Sequence, residues 1–200
     1  MGRDSDWSHF DSLDEQMCVQ EWLLFSERPG LHLRWIRTKR KVSEITRDSQ
    51  TLARVEGLSL FPFWGFHPRP PRRITIDAIT YRVGGRIFNA NVTGSDGQTL
   101  VSFTGTKNYD REARAVAHMS DGRSLRFPVH GTSKSNAIMT AVDERGQPVF
   151  ALRQVRGARS QPNCVEIVVE ANRHLTPELL LVMATSYYNL YTFFDRGGGG

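Results

Sequence analysis

From residue 31 onward the chain alternates apolar and polar residues with a period of two, in short runs separated by turn residues. Leu31, Leu33 and Trp35 alternate with His32 and Arg34. Residues 42–46 and 52–55 flank Asp48-Ser49-Gln50 and read as a hairpin. Residues 74–83 read as one strand, with Ile74, Ile76 and Ala78 on one face, and Gly84-Gly85 as the turn into 86–93. Asp96-Gly97, Asp121-Gly122 and Arg145-Gly146 then divide 99–104, 114–119, 124–129, 136–142 and 148–155 into hairpins, and 165–170 closes the series. Asp-Gly between alternating apolar residues is a strong local hairpin signal, because the glycine accepts the positive φ that a tight turn demands. The pattern predicts ten to twelve antiparallel strands.

The period changes at residues 175–194, LTPELLLVMATSYYNLYTFF, which are apolar on nearly every side of a helix. Thr176 suits the N-cap, Pro177 the first helical position and Glu178 the positive end of the dipole. Leu175 and Leu180 are placed to pack across the cap, and Gly197 is a natural stop. A helix over 177–194 is roughly 27 Å long, at the lower edge of a membrane span. Glu178, Thr185, Asn189 and Thr192 form one narrow polar stripe, and Tyr187, Tyr188 and Tyr191 spread over two turns. In lipid the stripe would lack partners and the tyrosines would sit at the helix ends. Protein can satisfy both, so the pattern favours a helix enclosed by protein over a C-terminal membrane anchor. An antiparallel sheet of this size closes to remove its edges, and a barrel so wide needs a filler. The expected architecture is mainly β (α+β): a closed antiparallel barrel of about 10–12 strands around a hydrophobic C-terminal helix.

Two hundred residues suit one domain. The expected organisation is an acidic arm over 1–30, with 13–25 able to form a short amphipathic helix carrying Leu13, Met17 and Leu24. A barrel follows over 31–196, and then a flexible glycine tail over 197–200. Residues 1–20 contain no apolar signal core, and Cys18 and Cys164 form no framework or metal spacing, so a cytoplasmic location is expected. The net charge is +5, carried by 22 Arg and 4 Lys, but it is unevenly spread. The first 16 residues hold five acids against one Arg, whereas 32–73 hold ten basic residues against three acids.

The hairpins around Ser95-Asp96-Gly97-Gln98 and 142–149 (VDERGQPV), followed by the terminal apolar helix, resemble the tubby C-terminal-like superfamily, which includes scramblase-like and LURP-one-related barrels. The resemblance covers roughly 31–195. It implies a closed barrel of about twelve antiparallel strands around a hydrophobic helix. Tubby domains in that superfamily bind phosphoinositides through basic residues, and scramblase relatives are linked to membranes.

Two segments carry candidate chemistry. Arg34, Arg37, Lys39, Arg40 and Lys41 form a basic run; as an ideal strand it would set Arg37, Lys39 and Lys41 on one face, where three cations can grip phosphates. A solvated strand face with lysines at an edge is the bland alternative. In the second segment Phe61, Phe63, Trp64 and Phe66 are followed by Arg69, Arg72 and Arg73. Aromatics beside cations suit an anionic membrane surface or stacked bases, or can simply cover one end of the barrel. His9, His32, His67, His118, His130 and His174 show no metal-ligand spacing, and no cofactor is expected. No nucleophile, acid–base or phosphate-loop motif stands out. The expectation is a non-catalytic binding or scaffold protein, recognising anionic phospholipid headgroups or a protein partner at the membrane periphery. An enzyme acting on a small ligand at the barrel mouth and a nucleic-acid-binding module are the alternatives.

Overall fold

The computed structural model describes residues 29–39, 42–57, 71–86, 89–104, 116–127, 129–130, 138–155 and 164–196. The strands are β1 (Gly30–Lys39), β2 (Val42–Arg47), β3 (Gln50–Glu56), β4 (Arg73–Ile76), β5 (Ile79–Arg86), β6 (Asn89–Thr93) and β7 (Thr99–Thr104). They continue with β8 (Val116–Met119), β9 (Ser124–Arg126), β10 (Val129–His130), β11 (Ile138–Val142), β12 (Pro148–Val155) and β13 (Cys164–Glu170), and the helix α1 (Pro177–Arg196) follows. The arm before residue 29 and the tail after 196 lie outside the described residues.

Each strand pairs antiparallel with its neighbours, and two further pairings close the sheet. β1 meets β13, with Trp35 opposite Val165, and β9 meets β11, with Arg126 opposite Val142. β10 meets β11 in the same register as β9, with Val129 opposite Met139. β9 and β10 therefore lie end to end along one side of β11 and occupy one strand position. Thirteen strand segments thus occupy twelve positions around a closed antiparallel barrel, as the hairpin count and the superfamily resemblance both implied.

Three turns repeat one design. Gly97, Gly122 and Gly146 hold φ of 82°, 86° and 73°, and donate to the carbonyls of Gly94, Met119 and Asp143. Asp96 and Asp121 each accept from the backbone N–H two residues on, at 3.0 Å. In the third turn Asp143 takes that role from the first position, accepting from Arg145 N at 3.0 Å and Gln147 N at 2.9 Å.

Two expectations near residue 80 are corrected. The run 74–83 is not one strand: it folds back at Asp77 and Ala78, with φ of 47° and 66°, into the two-residue hairpin β4–β5. Positive φ at both central residues matches the right-handed twist of the strands, but Asp-Ala gives no glycine to announce it. Gly84 and Gly85 are not a turn but lie inside β5, opposite Asn91 and Ala90.

Inside the barrel, the core joins residues from every side of the sheet, among them Leu33, Ile45, Val55, Ile74, Val92, Phe103, Phe150 and Ile167, to Leu179–Ala184 of α1. Eight consecutive helical residues, Leu179 to Ser186, are buried. Eight residues cover more than two full turns, so the helix is enclosed on all sides there. It contacts β3 and β4 and also β7, farther round the barrel. Twelve strands at about 4.8 Å, tilted as closure requires, make a ring about 24 Å across; lining side chains leave roughly one helix diameter. The cap is as expected: Leu179 N donates to Thr176 Oγ1 at 3.2 Å and Leu180 N to Thr176 O at 3.0 Å. The helix ends at Arg196, two residues past the expected 194. Thr185 of the polar stripe donates to Leu181 O at 2.9 Å, so its acceptor is the helix's own backbone rather than the surrounding wall. Among the described residues no helix is long and apolar enough to cross a membrane.

Candidate functional site

Strand direction places the basic segments. Successive connections of an antiparallel barrel alternate between its two ends. The β1–β2 and β3–β4 connections therefore leave from the same end, opposite the one at which α1 begins. The described ends of the two candidate segments, Lys39 on β1 and Arg73 on β4, therefore lie at the same end of the barrel, separated by β2 and β3.

The pairing registers make this concrete. Lys39 stands opposite Val42, Val42 opposite Glu56, Glu56 opposite Arg73, Arg73 opposite Arg82 and Arg82 opposite Thr93. One row of paired positions thus runs from the end of the first basic segment at Lys39 through Arg73, at the start of β4, to Arg82 in the middle of β5. Arg82 was not among the sequence candidates. The only signal for it is the Asp77-Ala78 turn, which centres the β4–β5 hairpin and sets Arg82 across from Arg73.

Arg73 and Arg82 face outward, since their neighbours Ile74 and Tyr81 are buried, and both are exposed. Like charges directly opposite on adjacent strands repel. Glu56, beside Arg73, is held by Arg54, whose Nε lies 3.0 Å from Glu56 Oε1. Among the described residues no ion pair joins Arg73 or Arg82 to a carboxylate. Arg72 extends the group: its N–H donates to Glu56 O at 2.7 Å and its carbonyl accepts from Val83 N at 3.0 Å. Its side chain lies over Gly57, which has φ of 82° and where a Cβ would come within 2.8 Å of Arg72 Cγ. Glycine there provides both the left-handed backbone and the room for the arginine.

The remaining candidates fall differently. Arg34 is exposed on β1 but stands directly opposite Glu166, so its charge has an acid across from it. Arg37 stands opposite the buried Ser43, and the register shifts between Arg37 and Lys39. That bulge breaks the strict alternation that would have set the two on one face. Arg40, Lys41, Arg69 and the aromatics Phe61, Phe63, Trp64 and Phe66 lie outside the described residues.

On the outer face of β7–β9, His118 sits between two hydroxyls, with Thr104 Oγ1 3.0 Å from Nε2 and Ser124 Oγ 3.0 Å from Nδ1. Both ring nitrogens are taken by hydroxyls and no carboxylate orients the ring, so the pair lacks the parts of an activated nucleophile. Among the described residues no group of three or more His, Cys, Asp and Glu could hold a metal ion.

Comparison with protein-family models, with curated proteins and with solved structures finds no match to this chain. What fold and surface define together is a class: a helix-filled, twelve-stranded antiparallel barrel with an arginine pair on its outer wall.

Proposed function

We propose that the protein is a non-catalytic barrel that binds an anionic phospholipid headgroup on the stretch of outer wall marked by Lys39, Arg72, Arg73 and Arg82. The observation that carries this reading is Arg73 opposite Arg82 without a carboxylate between them. Two guanidinium groups on adjacent strands offer a phosphate parallel donors from both sides, and a phosphate would relieve their repulsion. Lys39, in the same row, adds a third cation. Arg40, Lys41 and Arg69 belong to the same two segments, and their charge adds to the attraction for an anionic surface. Phe61, Phe63, Trp64 and Phe66 fall in the sequence between Gly57 and Arg72, and aromatics next to cations suit the interfacial layer of a bilayer. The bulk of the barrel interior is occupied by α1, which leaves the outside and the rims for recognition.

On this reading the protein works at the cytoplasmic periphery of a membrane, and its closed twelve-stranded barrel with a C-terminal helix supports reading it as a relative of the tubby-like group. The test is co-sedimentation with vesicles of phosphatidylcholine alone, and with added phosphatidylserine or phosphoinositide. Binding that needs the anionic lipid, and that is lost in R73E/R82E but kept in R145E on a turn at the opposite end, supports the reading. Equal recovery on neutral and anionic vesicles sinks it. A preference for single-stranded oligonucleotides that falls steeply with salt would move the same cations to nucleic acid.

A further inference from the structure

Gly84 is a glycine that the fold does not require. It lies inside β5, where a residue without a side chain weakens the strand. Gly97 and Gly122 hold the left-handed φ of tight turns, and at Gly30 and Gly57 a Cβ would collide with its neighbours. Gly84 has neither reason. Its φ is not positive, and a Cβ built on it meets nothing within 4 Å. A valine or threonine would fit there and would suit a strand better. A strand glycine of this kind marks the close approach of something outside the fold.

Its surroundings indicate what approaches. Gly84 is exposed and shares the outer face with Arg82, because Val83 between them packs against the core. On β6, Thr93 stands opposite Arg82 and Asn91 opposite Gly84. Asn91 in turn stands opposite Ser102, and Ser102 opposite His118. The missing side chain thus leaves a notch in the outer wall. The arginine pair borders it on one side, and a strip of amide, hydroxyl and imidazole groups leads away from it on the other. That strip carries no carboxylate. Glu56 stands on the far side of Arg73 and is held by Arg54.

We infer that Gly84 keeps open a seat for the uncharged, hydroxylated part of the headgroup whose phosphate Arg73 and Arg82 grip. The site then selects a polyol phosphate ester over an amine-bearing one, a selection that rests on the headgroup binding proposed for the two arginines. The spacing fits: Arg82 and Gly84 are two residues apart on one face, about 7 Å, which is about the reach from a phosphorus to the outer hydroxyl of a glycerol ester. The chemistry fits as well. A hydroxyl both donates and accepts, as do the Asn91 amide and the Ser102 hydroxyl. An ammonium only donates, and here it would lie beside Arg82 with no carboxylate to pair with. The headgroup of phosphatidylglycerol has the required chemistry. That of phosphatidylserine, with the same net charge, does not.

The test uses the full chain and phosphatidylcholine vesicles carrying equal mole fractions of phosphatidylglycerol or phosphatidylserine, so that surface charge is the same. The parent should bind the phosphatidylglycerol vesicles at least about fivefold more tightly, the worth of one net hydrogen bond. G84V fills the notch. It should lower phosphatidylglycerol binding to the phosphatidylserine level while melting no lower than the parent, and R73E/R82E should lose both lipids. Equal binding of the two lipids by the parent, abolished in R73E/R82E, would overturn the selection and leave the headgroup reading standing. Binding that R73E/R82E leaves unchanged would remove the phosphate grip and the seat with it. A G84V chain that keeps the parent's preference would also overturn the seat. Should G84V fail to fold, N91D decides independently: a carboxylate opposite Gly84 should shift the preference toward phosphatidylserine, and an unchanged ratio overturns the proposal. Calorimetric titration with glycerol 3-phosphate separates the two sources of the ligand. Binding that G84V abolishes, in a chain that ignores both kinds of vesicle, would keep the seat and assign it to a free polyol phosphate.

Discussion

Arg173 Nη2 donates to Asp143 Oδ2 at 2.6 Å, so the connection that leads into the central helix is tied to the turn between β11 and β12. The same carboxylate accepts two backbone N–H groups of its own turn. One side chain thus organises a hairpin and anchors the mouth where α1 enters. Replacing Asp143 with Ala removes all three bonds and should cost roughly 1–3 kcal/mol. Urea denaturation checks this: the midpoint should fall with the slope unchanged.

The pH dependence follows from the same group. Burial pushes the Asp143 carboxyl up, but the Gln147 amide, the Arg173 guanidinium and the Arg145 amide outweigh it and hold the pKa below the ordinary carboxylate value. A depressed folded-state pKa contributes stability that is present above the unfolded value of about 3.9 and is lost as pH falls through the folded one. Unfolding midpoints measured from pH 7 to pH 2 should therefore fall more steeply in the parent than in D143N. Parallel curves would remove Asp143 from the acid sensitivity.

The Asp77-Ala78 turn is locally imperfect. Ala78 sits at φ 66°, where a Cβ crowds the backbone. Ala78→Gly, and more so D77N/A78G, should stabilise the protein by about 1 kcal/mol, because Asn-Gly is the preferred pair for such a turn. Thermal melts read this directly, and a lowered melting temperature would show that the turn is held otherwise.

The Gly57 prediction is of the opposite sign. Gly57→Ala sets a Cβ against Arg72 at a left-handed φ. It should cost about 1 kcal/mol or more and displace Arg72 from the proposed site. The proposed lipid binding should weaken with it, whereas A78G should leave that binding intact. Comparing the two variants on anionic vesicles separates stability from recognition.

The central helix makes the largest demand. Leu181 and Met183 are fully buried between helix and wall, and Leu181→Ala should cost about 2–5 kcal/mol depending on how far the barrel can collapse. Deletion of 177–200 should leave an insoluble or molten chain, since the interior would lose its filler. A soluble, cooperatively unfolding truncation would contradict the enclosed-helix architecture.

Much of the barrel was legible because its rules are local. Each Asp-Gly or Arg-Gly turn needs one residue at positive φ between alternating runs, and glycine marks it. Thr176, Pro177 and Glu178 cap a helix by chemistry contained in three residues, and an apolar surface on every side requires enclosure wherever the helix lies. The hairpin at Asp77-Ala78 was not legible, because Asp tolerates positive φ but Ala does not favour it, and no glycine follows to mark the turn. The site followed the same division: the sequence marked Arg72 and Arg73 by composition, but not Arg82.

By itself, then, the sequence determined the number and kind of elements and the closed, helix-filled barrel, since periodicity, turn chemistry and capping act within a few residues. Only the tertiary structure decided which residues meet. A one-residue change of register turns every side chain of a strand to the opposite face, and register is set jointly by turns and by the fit of all twelve strands around the helix. That is why Lys39, Arg73 and Arg82 share one row, and why Gly84, which the sequence reads as a turn, lies within a strand opposite Asn91.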